Sequence, residues 1–115
     1  MIIAAAINTE NENMFWHFGH CERFKMYTIE NNEVIKTDYL TVTGGHGPQR
    51  LEAMINAEAN VIISDGQGPG IADQARDLGI EIIAGVQMDA DTAVKMYLAG
   101  QLKNDPAGVH PCGQD

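Results

Sequence analysis

The sequence predicts an α/β domain built on a mixed five-stranded sheet covered by helices. Three observations carry this prediction: an apolar opening run, a strand-turn-strand pattern of alternating polarity, and two successive helix-strand units after Gly44. Strands joined through a helix run parallel with right-handed crossovers, whereas a hairpin is antiparallel, so the sheet must be mixed. The 115 residues show no compositional break and are enough for one domain with one core.

Met1 to Ile7 reads as a buried first strand, and the Asn- and Glu-rich stretch Asn8 to Asn13 as a loop. Arg23 to Ile29 alternates, Glu30-Asn31-Asn32-Glu33 turns the chain, and Val34 to Val42 returns as the second arm of a hairpin. A helix is predicted over Pro48 to Ala59, because Leu51, Met54, Ile55 and Ala59 fall on one helical face and Pro48 suits a first turn. The strand Asn60 to Ser64 follows. Ile71, Ala75 and Leu78 then mark a second helical stripe that stops at Gly79, before the strand Ile80 to Ala84. A last helix capped by Asp89 or Asp91 is expected to bury Val94, Tyr97, Leu98 and Leu102 and to end near Gly100. The domain is therefore placed at residues 1–103, with 104–115 as a mobile Gly- and Pro-containing tail.

Sixteen acidic against seven basic residues give a net charge of -9, which repels phosphate backbones and argues against nucleic acid as a partner. The apolar start has no basic leader and is far shorter than the roughly 20 residues of a membrane span. Two cysteines are too few for a disulfide-dense secreted scaffold. The expected setting is the cytoplasm.

All four histidines and both cysteines, His17, His20, Cys21, His46, His110 and Cys112, fall outside the predicted helices and strands. Imidazole and thiolate are the donors that bind iron, zinc and copper, and loops allow several of them to converge on one centre. His17-Phe18-Gly19-His20-Cys21 holds three such donors, with Gly19 free to take a left-handed or tight turn between them. A packing role for this loop, with Trp16 and Phe18 as anchors, is the competing reading.

Gly44-Gly45-His46-Gly47-Pro48 and Gly66-Gln67-Gly68-Pro69 share a G-x-G-P pattern ahead of a helix. Each is suited to an anion at a helix N-terminus or simply to a tight strand-to-helix turn. Neither has the P-loop pattern. His110-Pro111-Cys112 offers two more donors on the tail. Asp65, Glu10 and Glu12 are the acids nearest strand ends, where two-metal hydrolysis would need several converging carboxylates. Arg23 and Arg50 read as surface cations, Arg50 being close enough to the glycine loop to clamp an anion.

Through His17-Phe18-Gly19 with Phe24, Gly44-Gly45-His46-Gly47-Pro48 and Asp65-Gly66-Gln67-Gly68-Pro69, the chain resembles the dinitrogenase iron-molybdenum cofactor biosynthesis family over nearly its whole length. That resemblance implies a three-layer α/β/α, ribonuclease H-like fold without nuclease activity. It also implies a nitrogenase accessory function, with His17 as the favoured cluster ligand and Phe18 and Gly19 in the same loop. Gly45, His46, Gly47, Gly66 and Gly68 would frame an iron-sulfur or iron-molybdenum-sulfur cluster. His20-Cys21 and the His-Pro-Cys tail depart from the commonest family pattern and add donors. The metal-binding set is thus His17, His20, Cys21 and His46. With no radical-SAM cysteine triad, the expected function is non-enzymatic carriage or storage of a cluster between donor and acceptor proteins. A regulatory module binding a phosphate- or nucleotide-like anion, and a metal-dependent hydrolase using Asp65, are the alternatives.

Overall fold

The computed structural model describes residues 1–66 and 69–104. Its elements run β1 (Ile2–Ile7), a 3-10 turn (Phe18–His20), β2 (Arg23–Glu30), β3 (Glu33–Thr41), α1 (Gly47–Asn56), β4 (Val61–Ile63), α2 (Pro69–Asp77), β5 (Glu81–Ile83) and α3 (Ala90–Leu98). The five strands form one sheet in the order β3-β2-β1-β4-β5. β1 pairs antiparallel with β2 and parallel with β4, so the mixed sheet predicted from the sequence is present.

β1 lies at the centre of the sheet, and a strand covered on both faces must be apolar throughout, which explains its unbroken Ile/Ala run. Ala4 and Ala6 face a core shared with Phe24, Leu51, Met54, Ile71 and Ala75, on the side of α1 and α2. Ile3, Ala5 and Ile7 face the opposite core with Val61, Ile83, Ala93 and Val94, on the side of α3.

β4 and β5 are each shorter at both ends than expected, and three further boundaries differ for identifiable reasons. The hairpin turn narrows to Asn31 and Asn32, at φ 51° and 64°, because asparagine tolerates the left-handed backbone of a two-residue turn and lets Glu30 pair with Glu33. α1 starts at Gly47 and stops at Asn56, since Glu58 turns left-handed at φ 61° and returns Ala59 to the core. Leu78 projects to solvent at 56% exposure, because α2 ends at Asp77 before that position can complete the apolar stripe.

On the α3 face, β2 places Lys25 between apolar neighbours, 7% exposed. Its Nζ lies 2.6 Å from Glu12 Oε1 and 2.9 Å from Asp91 Oδ1. Tyr27 donates its hydroxyl to Asp91 at 2.7 Å, and Tyr39 donates to Glu12. This network joins the loop after β1, the hairpin and the start of α3. The Lys25 ammonium and the Tyr39 hydroxyl hold Glu12 below the usual carboxylate range, while Tyr27 and Lys25 do the same to Asp91.

A carboxylate whose pKa is depressed by folding stabilises the fold above its unfolded value and loses that contribution as pH falls through the folded one. Melting temperature is therefore expected to drop progressively below about pH 4. Lys25→Met should flatten that acid slope in a pH series of thermal melts. An unchanged slope would show that the network contributes nothing to acid stability.

Candidate functional site

Two loops build the site, both at the end of the sheet where β1 and β4 terminate. The first is anchored by Phe18, whose ring is fully buried and meets Phe24 edge-on at 5.6 Å, and whose N–H donates to the Gly66 carbonyl at 2.7 Å. His17 caps the 3-10 turn: its Nδ1 accepts the Gly19 N–H at 3.1 Å. Of the left-handed or tight turn expected at Gly19, the tight one is present, and a side chain there would be crowded. A Cβ there would lie 3.1 Å from His17 Cε1 and 3.3 Å from the Gly47 backbone nitrogen.

The second loop uses its glycines as predicted for a tight turn, with Gly44 at φ 72° and Gly45 at φ 68°. His46 then occupies the N-cap of α1, where its N–H donates to Gln49 Oε1 at 2.8 Å.

Arg50 fixes one loop to the other. Its Nε donates to the Cys21 carbonyl at 2.8 Å, one terminal nitrogen to Gly44 at 2.6 Å and His46 at 3.4 Å, and the other to Val42 at 3.5 Å. At 2% exposure it corrects the expectation of a surface arginine, and its donors are spent on the protein's own carbonyls and not on a ligand.

These contacts bring His17, His20 and His46 around a cavity of about 150 Å³, completed by Gly19, Gly47, Pro48 and Ile71. The His17 and His20 rings lie 4.8 Å apart between centroids, and those of His20 and His46 6.0 Å. Trp16, half exposed, stacks on His20 at 5.8 Å and tilts against His17 at 5.2 Å. A Cβ on Gly47 would come within 2.6 Å of Ile71 Cδ1, so this glycine lets the start of α1 pack closely on Ile71 beside the cavity.

Cys21 does not join the histidines. Its side chain is fully buried in the α1 and α2 core, and its thiol donates to the carbonyls of Ile7 at 3.4 Å and Arg23 at 3.0 Å. Burial pushes its pKa up to about 11, which disfavours the thiolate form that binds metal. Phe18 serves the loop through its buried ring, and Gly66 through its carbonyl. Gly45 shapes the approach to α1. Gly68, His110 and Cys112 lie outside the described residues. Asp65 accepts from Gln87 at 3.3 Å, and among the described residues no three His, Cys, Asp or Glu side chains converge as an ion site. Neither a closed metal centre nor a two-metal hydrolase centre is formed there.

Arg50 and Trp16 are the residues whose roles sequence reasoning missed. A cation in a first helical turn opposes the helix dipole, and that conflict signals a side chain folded back onto carbonyls.

The family described as dinitrogenase iron-molybdenum cofactor matches this chain over residues 1–100. The chain belongs to that family. Among its relatives is an uncharacterized protein of Methanocaldococcus jannaschii, 29% identical over 107 residues in a match that covers 89% of this chain and 91% of the relative. The solved structure of PH0822 superposes with a TM-score of 0.82 at 24% identity, covering 91% of this chain and 95% of that one. The apo form of the orange protein from Desulfovibrio gigas gives 0.77 at 17% identity, covering 90% and 92%. At these identities the two structures speak to the fold alone. Family membership supports a cofactor-related role, and among the described residues no helix is long and apolar enough to cross a membrane.

Replacing Arg50 tests how this family member assembles its two loops. Arg50→Lys supplies one point charge where a planar fork reaches several carbonyls, and is expected to cost about 2–3 kcal/mol in urea unfolding. A variant as stable as the parent would refute the clamp.

Proposed function

We propose that this protein binds and carries an iron-sulfur or iron-molybdenum-sulfur cluster, without catalysing a reaction, at the pocket formed by His17, His20 and His46. The observation that supports this most is the convergence of three imidazoles from two separate loops on one small cavity. Family membership gives the cargo class. His46 and Gly47 add the N-terminal end of α1, whose partial positive charge favours an anionic cargo.

The donor chemistry fits a cluster better than a single ion. A structural zinc or iron ion takes about four protein ligands in a closed shell, and the described residues offer no such shell. A preformed cluster brings most of its own ligands, needs few from the protein, and leaves when an acceptor offers better ones. His20 and His46 are exposed, as a transfer site requires. The cluster donor and acceptor are proteins that engage this open end.

Anaerobic incubation with ferrous iron and sulfide should give visible charge-transfer absorption and bound iron. The double variant His20→Ala/His46→Ala is expected to weaken loading about tenfold or more. Cys21→Ser, which keeps a donor toward the Ile7 and Arg23 carbonyls, should load like the parent. A colourless parent without bound iron would refute the proposal, and loss of loading in Cys21→Ser would return the thiol to the site.

A further inference from the structure

Resemblance makes His17 the favoured metal ligand, yet its own hydrogen bonding assigns the ring a different part. Nδ1 accepts the Gly19 N–H in a buried contact of 3.1 Å. A backbone amide is a donor only, so Nδ1 must present its lone pair, and a neutral imidazole then carries its one proton on Nε2. A metal ion needs a free lone pair on the nitrogen it binds. In this ring one lone pair is engaged by Gly19 and the other position holds a hydrogen.

Coordination through Nε2 would require the proton to move to Nδ1. Two N–H groups would then oppose each other, and the buried Gly19 amide would lose its acceptor. Turning the ring over is hindered as well. His17 is 3% exposed, packs against His20 and Trp16, and closes on Gly19 so tightly that even a Cβ there would meet Cε1 at 3.1 Å.

We infer that His17 meets the cargo as a hydrogen-bond donor, through Nε2–H to a sulfide or oxo atom, and that contact with metal falls to His20 and His46. This rests on the histidine pocket being the cargo site. It narrows the ligand class to anions whose surface atoms accept hydrogen bonds. A bare divalent cation would find a hydrogen at His17 where it needs a lone pair.

The test is a long-range ¹H–¹⁵N correlation of the histidine rings in the full chain at alkaline pH, before and after titration with sodium molybdate, zinc chloride, and ferrous iron with sulfide. Before any addition, His17 should show an unprotonated Nδ1 and a protonated Nε2. Molybdate should shift the Nε2 resonance while its proton is retained, and zinc should move the nitrogens of His20 and His46 and leave His17 protonated at Nε2. A proton on Nδ1 in the free protein, or a zinc-bound unprotonated Nε2, overturns the donor role while leaving the cargo site intact. The expected tautomer with neither molybdate nor iron-sulfide bound overturns the cargo reading, and the donor role with it.

Discussion

The guanidinium of Arg50 is almost wholly removed from water, and it gathers the carbonyls of Cys21, Val42, Gly44 and His46 around itself. Those carbonyls belong to two loops separated along the chain, so His17–His20 and His46 are held together by a cation that is not part of the cavity lining. Burying an arginine without a carboxylate is costly unless its donors are satisfied. Here the loop carbonyls satisfy them, and carbonyls that a tight turn would otherwise leave unpaired gain a donor in return. The histidine pocket is a consequence of that exchange.

The sheet separates this assembly from the Lys25 network on its other face. Phe24 and Met26 lean toward the helices that carry the pocket, and Lys25 and Tyr27 toward α3. One strand thus braces two polar systems of different purpose. In the Lys25 system two carboxylates close on one ammonium, and two tyrosine hydroxyls donate to those same carboxylates, so its chemistry is structural. The histidine system is open, with rings grouped near a helix N-terminus and Gly47 packed closely on Ile71 beside them.

Much of the fold was legible in the sequence because strand and helix periods are local signals. β1, the hairpin and the two helix-strand units follow from where apolar residues recur, and Asp89 caps α3 through its own side chain. The pocket was legible in part: donors gathered in loops pointed to His17, His20 and His46. Cys21 misled because its neighbours in sequence are ligand types, whereas the strand it leads into turns its thiol toward the core. The partners of Arg50 and Lys25 were invisible for a shared reason. A buried cation needs long-range partners, and with sixteen acids and every carbonyl available, sequence does not say which ones.

The central claim is that cargo occupies the end of the sheet where His17, His20 and His46 converge. Paramagnetic broadening of backbone amide resonances, followed as the ¹⁵N-labelled protein is loaded anaerobically with ferrous iron and sulfide, tests it most directly. Loss of signal is expected to centre on residues 16–20, 45–48 and 70–72, with Lys25, Tyr27 and Asp91 remaining sharp. Broadening centred on the Lys25 network, or spread evenly over the surface, would contradict it.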